Sequence, residues 1–257
     1  MTNKYTCDIN FNDLIEKFNI ISEKGYIKGI SNNYKNSCGL TFENEIGKSV
    51  DSSYSPDYKD IEIKCKQKNS NFNITLFSLS FNGPSLYESY YILKKYGKKD
   101  DSLLNKNKLY IKLKFNEKVY YNSYYFELKV DNEKKLFYIN IYDKDLKLIE
   151  KRGYILFINL RKRVLTKLKK LCLIKSQKKK KEEGLYFKYY QISCYKFKGF
   201  DNFLNMIKNN IIKCTLSLRY SKNEKTYGQN KSRGIIFSLA EKDLSKVFDN
   251  IYFNQKT

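Results

Sequence analysis

Five stretches between residues 60 and 143 read as β-strands: DIEIKCK, FNITLFSLSF, KLYIKLKF, YYFELKV and KLFYINIYD. Alternate side chains of a strand point to opposite faces, so each stretch must bury one face against a sheet neighbour or a helix. Between and around them lie segments with helical spacing. NDLIEKFNIISEKG places Leu14, Ile15, Phe18 and Ile21 on one face, and SLYESYYILKKYG has Ser85 and Glu88 at capping-box spacing. Later come a basic helix around NLRKRVLTKLKKL, the run KSQKKKKEEG as an exposed loop between two strands, LYFKYYQISCYKF as a strand, DNFLNMIKN as a helix, IIKCTLSLRY and IIFSL as strands, and EKDLSKVFDNIY as a closing helix. The order predicts an α/β chain of mixed α+β type with a central sheet flanked by helices. The polar segment GKKDDSLLNKNK suggests two lobes, residues 1–100 and 101–257, which could share a sheet.

Composition narrows the chemistry. The chain has 257 residues and is 41% hydrophobic, enough for a substantial core. Its net charge of +23 points to a polyanionic partner, and nucleic acid fits best. Drift toward Lys, Asn, Ile and Tyr accounts for Lys in place of Arg but not for the excess of cations. There is no histidine, so no Ser-His-Asp or Cys-His machinery and no HExxH zinc site can exist. Six scattered cysteines without a C-x-x-C pair read as buried, reduced thiols rather than zinc ligands. The polar N-terminus and the lack of any apolar run near the ~18 residues of a membrane span predict a soluble, cytoplasmic protein.

Acid-x-Lys occurs five times, and chance supplies most of these in so lysine-rich a chain. One pair stands apart. In SPDYKDIEIKCK, the pleat puts Glu62 and Lys64 on one face and Ile61, Ile63 and Cys65 on the other. Asp57 follows Pro56 in a turn and could meet Glu62 from the side. Two converging carboxylates repel unless a cation lies between them, and Mg²⁺ favours such hard oxygen ligands. A lysine beside that ion could orient a water and stabilise charge growing on a phosphate. Asp60 shares the strand face with Glu62 and is an alternative second carboxylate. Glu127-Lys129 lacks the Pro-Asp step and reads as the outer face of a hairpin strand.

GLTFENEIG, SPDYKDIEIKCK and NITLFSL together resemble the core of the MvaI/BcnI restriction endonucleases, a MutH-related branch of the PD-(D/E)xK nucleases. The matching positions are Gly39, Thr41, Glu43 and Gly47, then Pro56, Asp57, Glu62 and Lys64, then Thr75, Leu76 and Phe77. ILKKYGKKD and YGQNKSRGIIFSL extend the likeness along most of the chain. The resemblance implies a PD-(D/E)xK core and a monomeric, Mg²⁺-dependent type II enzyme that cuts double-stranded DNA at a short sequence, leaving 5′-phosphate ends. Asp57 and Glu62 would bind the metal, Lys64 would lie beside the attacking water, and Glu43 would be an accessory carboxylate. A cognate DNA methyltransferase would be its genetic partner. Some members use histidines near the phosphate or the bases, roles that here must fall to Lys, Asn, Gln or Tyr. The alternatives are a MutH-like repair nickase and a noncatalytic nucleic-acid-binding protein.

The chain holds five arginines, all after residue 150. Arginine grips guanine O6 and N7 with two hydrogen bonds. Arg219 ends a strand, and Arg233 shares the loop YGQNKSRG with Gln229, Asn230 and Lys231. These five residues form the candidate DNA-reading set, with the DNA expected between the two lobes. Arg161 and Arg163 read as facing phosphates or solvent.

Overall fold

The computed structural model describes residues 6–31, 37–48, 55–82, 85–103, 106–221, 228–229 and 231–256. Asp8 starts the first helix: its side chain accepts from Asn10 N (3.1 Å) and Phe11 N (3.3 Å) and caps α1 (Ile9–Glu23). Phe11, Leu14, Ile15, Phe18 and Ile21 recur at three- and four-residue spacing and are all buried. After it, Tyr26–Lys28 pairs with β11 as a short strand, β1. Helix α2 follows over Ser37–Glu45.

Strands β2 (Ile61–Gln67) and β3 (Ile74–Leu79) and helix α3 (Ser85–Tyr96) fall where the pattern placed them. Then come β4 (Lys98–Lys99), β5 (Asn107–Leu113), β6 (Val119–Tyr121), β7 (Tyr124–Asp131), β8 (Leu136–Tyr142) and β9 (Leu148–Leu156). The basic helix is α4 (Phe157–Leu168). After it lie β10 (Lys170–Lys181), β11 (Gly184–Phe197), α5 (Phe200–Lys208), β12 (Lys213–Leu218) and β13 (Gly234–Leu239). A 3₁₀ turn (Glu241–Asp243) and the short α6 (Leu244–Val247) lead into β14 (Phe248–Gln255).

Two elements depart from the sequence reading. The lysine run is strand, not loop: Lys178–Lys181 pair with Phe187–Gly184 in the β10–β11 hairpin. Strand β2 accompanies β10 only as far as Ser176, and no described strand continues along that side. Four exposed lysines therefore lie along an edge with no strand neighbour among the described residues, a common guard against edge-to-edge association. The closing helix stops at Val247. One side of β11 is taken by β10, and β14 completes the other by pairing with Gln191–Phe197. Ladder hydrogen bonds override the helical spacing of FDNIY there.

The chain forms two compact units that interleave along the sequence. The first takes Met1–Ile74, Val164–Gly199 and Lys242–Thr257; the second takes Thr75–Arg163 and Phe200–Glu241. They do not divide at a single point near residue 100, because β10, β11 and β14 return to the sheet that holds β2.

In the first unit the sheet order is β1-β11-β10-β2, with β14 on β11. β2 runs parallel to β10, Ile61 beside Lys170 and Gln67 beside Ser176. Ile61, Ile63, Cys172, Ile174, Phe187 and Ile192 join the buried faces of α1 and α2 in one core. This back layer fixes the register of β2, since a one-residue slip would turn Glu62 into the core.

In the second unit one sheet runs β3-β13-β12-β5-β4, and β6-β7-β8-β9 form an antiparallel meander. Phe77, Phe203 and Phe237 pack with ring centroids 5.0–6.0 Å apart. Gly234 has φ +67°, and a Cβ there would lie 2.2 Å from Leu79 O, so only glycine fits. Arg152 pairs with Glu150 (2.9 Å) and Glu88 (3.4 Å), a structural use of one retained arginine.

All six cysteines are free; Cys172 and Cys194 face each other as thiols with sulfurs 3.1 Å apart, whereas Cys7 is exposed rather than buried. Among the described residues no helix is long and apolar enough to cross a membrane.

Candidate active site

The turn before β2 decides where Asp57 points. Tyr58 and Ile61 close it with two backbone hydrogen bonds (2.9 and 2.7 Å), and Lys59 adopts φ +51° at its tip. The chain doubles back, and Asp57 Oδ2 accepts from Ile63 N at 3.0 Å. The carboxylate thus lies alongside the strand, on the first unit's sheet edge.

Glu62 projects from the same strand and is only 3% exposed. Lys64 Nζ donates to its Oε1 at 2.6 Å. Two further lysines, which the sequence reading did not single out, complete the group. Lys48 Nζ, just after α2, donates to Asp57 Oδ1 at 2.9 Å. Lys167 Nζ, on the last turn of α4, lies 2.9 Å from Glu62 Oε2 and 3.9 Å from Asp57 Oδ1, and donates to Ser55 O. Lys167 left one trace in the sequence. It sits three residues after Val164 and one before Leu168, both fully buried.

Burial opposes ionisation of Asp57, but the Lys48 hydrogen bond, the charge of Lys64, the Ile63 amide and Lys167 outweigh it and hold its pKa below the ordinary 3.8. Glu43, on α2, goes the other way. Burial first, then the negative charge of Asp57, raise its pKa above the ordinary 4.5, with Glu62 adding and Lys48 and Lys64 opposing. Glu43 is therefore within the field of the pair. Asp60 is committed elsewhere: it accepts from Asn10 Nδ2 (2.8 Å) and pairs with Lys170 (2.7 Å), which also holds Asp8 (2.6 Å). Of the two candidates for second carboxylate, Asp57 is the one brought to Glu62.

The donor set suits a hard divalent ion. Glu62 Oε2 is buried and accepts no hydrogen bond, with Lys167 Nζ 2.9 Å away. Among the described residues no three or more Asp, Glu, Cys or His side chains converge at metal-binding spacing. Two carboxylates such as Asp57 and Glu62, with water completing the shell, would be the kind of site Mg²⁺ accepts.

The second unit gathers most of the DNA-reading candidates. Beyond β12 and β13 the hairpin continues through Arg233 N to Ser217 O (3.0 Å), Lys231 N to Arg219 O (2.9 Å) and Ser221 N to Gln229 O (2.7 Å). Arg219, Gln229, Lys231 and Arg233 are all exposed on this one arm. Asn230 lies outside the described residues. Glu127, by contrast, is buried rather than on an outer face, accepting from Tyr142 Oη (2.6 Å) with Lys129 at 3.4 Å.

The fold is that of a restriction endonuclease. It matches the restriction endonuclease MvaI in complex with cognate DNA substrate at TM-score 0.85 and 24% identity, over 96% of this chain and 100% of that one. It matches MvaI in the absence of DNA at TM-score 0.59 and 23% identity, over 97% and 99%. A family model matches residues 15–248, and the chain belongs to the MvaI/BcnI restriction endonuclease family, as a type II restriction endonuclease. No curated protein matches it. Restriction endonucleases generally use divalent metal ions.

Proposed function

We propose that the protein hydrolyses phosphodiester bonds of double-stranded DNA at a short recognition sequence with Mg²⁺. The observation that carries this reading is that Asp57, held to the β2 backbone at Ile63, and Glu62 both face Lys167, with Lys64 on Glu62 Oε1. Asp57 and Glu62 would hold the ion, which supplies a Lewis acid next to the scissile phosphate. Lys64 orients the attacking water and stabilises the negative charge that grows on the phosphate. Glu43 steers Lys64 through its charge. The leaving group is the 3′ oxygen, so the ends carry 5′-phosphate and 3′-hydroxyl.

The first unit does the chemistry, and the β12–β13 arm of the second reads bases. Arg219 and Arg233 suit guanine edges, Gln229 suits adenine, and Lys231 suits a phosphate. The enzyme works in the cytoplasm as a monomer, and a cognate methyltransferase protects the host's own sites.

The test is to incubate unmethylated phage DNA with the protein and Mg²⁺ and to sequence the ends. Discrete fragments with one common end sequence are expected, and Glu62→Gln should abolish them. Nicks confined to one strand would favour a repair nickase, and no cleavage with intact DNA binding would favour a binding protein.

A further inference from the structure

We infer that Lys167 is the resident counter-cation of the carboxylate pair, a positioning residue that holds Asp57 and Glu62 together without a divalent ion and weakens the site for that ion until DNA adds its own negative charge. The inference rests on the reading of Asp57 and Glu62 as metal ligands.

Three lysines serve the pair, and they are not equivalent. Of the two carboxylates, Lys48 pairs with Asp57 and Lys64 with Glu62. Lys167 is the described lysine that lies against both carboxylates, at 3.9 and 2.9 Å. Its side chain is 8% exposed, against 23% for Lys64. So buried an ammonium group cannot draw on water and must be balanced by the acids it faces.

Its anchor is separate from its charge partners. Lys167 donates to Ser55 O, two residues before Asp57, while its line to Glu62 Oε2 is not a hydrogen bond. The ammonium is therefore tethered to the turn that carries Asp57 and also faces Oε2 at 2.9 Å. A divalent ion held by Asp57 and Glu62 must share the site with that positive charge. Lys48, Lys64 and Lys167 already balance Asp57, Glu62 and the nearby Glu43 before any ion enters, so an added ion makes the group positive. A DNA phosphate at the site would offset that repulsion, so ion and DNA should bind with positive coupling.

The experiment measures Mg²⁺ binding by calorimetry, and thermal unfolding with and without Mg²⁺, for wild type, Lys167→Met and Lys167→Arg, all free of DNA. Lys167→Met is expected to bind Mg²⁺ about fivefold or more tightly than wild type, the lower end of site-to-site coupling. Its Tm should be lower without Mg²⁺ and should rise more on adding it. Lys167→Arg, which keeps the charge, should stay near wild type. Equal or weaker Mg²⁺ binding by Lys167→Met overturns the inference and leaves a packing role only. If Lys167→Met does not fold in metal-free buffer, circular dichroism should show Mg²⁺ restoring it; no restoration also overturns the inference. The underlying reading is checked separately with Asp57→Asn. If that variant binds Mg²⁺ like wild type, the metal-ligand assignment fails, whatever Lys167 does.

Discussion

Ile63 donates its backbone N–H to Asp57 Oδ2 at 3.0 Å, so the strand that presents Glu62 also fixes a carboxylate six residues upstream. The bond separates chemistry from structure. Asn at position 57 can still accept from Ile63, whereas Ala cannot. Asp57→Asn should remain folded and lose cleavage by at least about 100-fold in a plasmid assay, the scale of removing one transition-state charge contact. Asp57→Ala should lose activity similarly and also about 1–3 kcal/mol in urea unfolding, from a stranded amide and lost ion pair.

Asp60→Asn makes the contrasting case. Asp60 is 39% exposed at the side chain and shares Lys170 with Asp8. Cleavage should remain within about twofold of wild type, and stability should fall by no more than about 1 kcal/mol, as for a partly exposed ion pair. Cleavage lost with Asp60→Asn but kept with Asp57→Asn would reverse the assignment.

Glu43 gives a pH signature. Its folded pKa is raised, so between the unfolded and folded values the native state holds a proton that the unfolded chain has released. Stability from this group falls as pH rises through that window. Asp57 has the opposite sign: its stabilisation is present above pH 3.8 and is lost as pH falls through its depressed folded value. Glu43→Gln should flatten the stability decline above pH 4.5 in urea unfolding and leave the acid-side loss intact. An unchanged decline would show that Glu43 titrates normally.

The arm beyond β12 and β13 should set specificity. Arg233→Lys keeps a cation but loses the rigid two-bond fork, worth about 1–3 kcal/mol of discrimination at a guanine. Comparing cleavage of the cognate site with that of single-base variants should show relaxation at one base pair. A uniform loss on every sequence would place Arg233 on a phosphate instead.

The lysines along the edge of β10 invite a test by removal. Lys178→Val with Lys180→Val should leave cleavage nearly unchanged and promote concentration-dependent association in sedimentation, because an unguarded edge pairs with another chain. Monomeric behaviour of the double variant would mean that the edge needs no guard.

How much of this was written in the sequence depends on range. Glu62 and Lys64 were legible because two-residue periodicity acts within one strand and a buried back face fixes it. Asp57 was legible as a neighbour in a turn, but its advantage over Asp60 was not: that depends on Asn10 and Lys170, which sit far away in sequence. Lys48 and Lys167 were hidden for another reason. Among 50 Lys and Arg residues, one more lysine carries little signal, and only the three-dimensional sheet selects two of them. The lysine run and the closing segment were misread because helix or loop character is local, whereas pairing with β11 is decided by tertiary neighbours.

The parallel neighbours β2 and β10 are joined through an excursion that takes the chain from Gln67 to Lys170. Forming that pair requires closing a very long loop, which slows folding and puts the step late. On the ribosome the order is stricter. When Glu62 emerges, neither Lys167 nor the strand that supports β2 has been made. A nascent nuclease therefore has its acids long before it has the scaffold that aims them, and a chain that stops before Lys167 never acquires it.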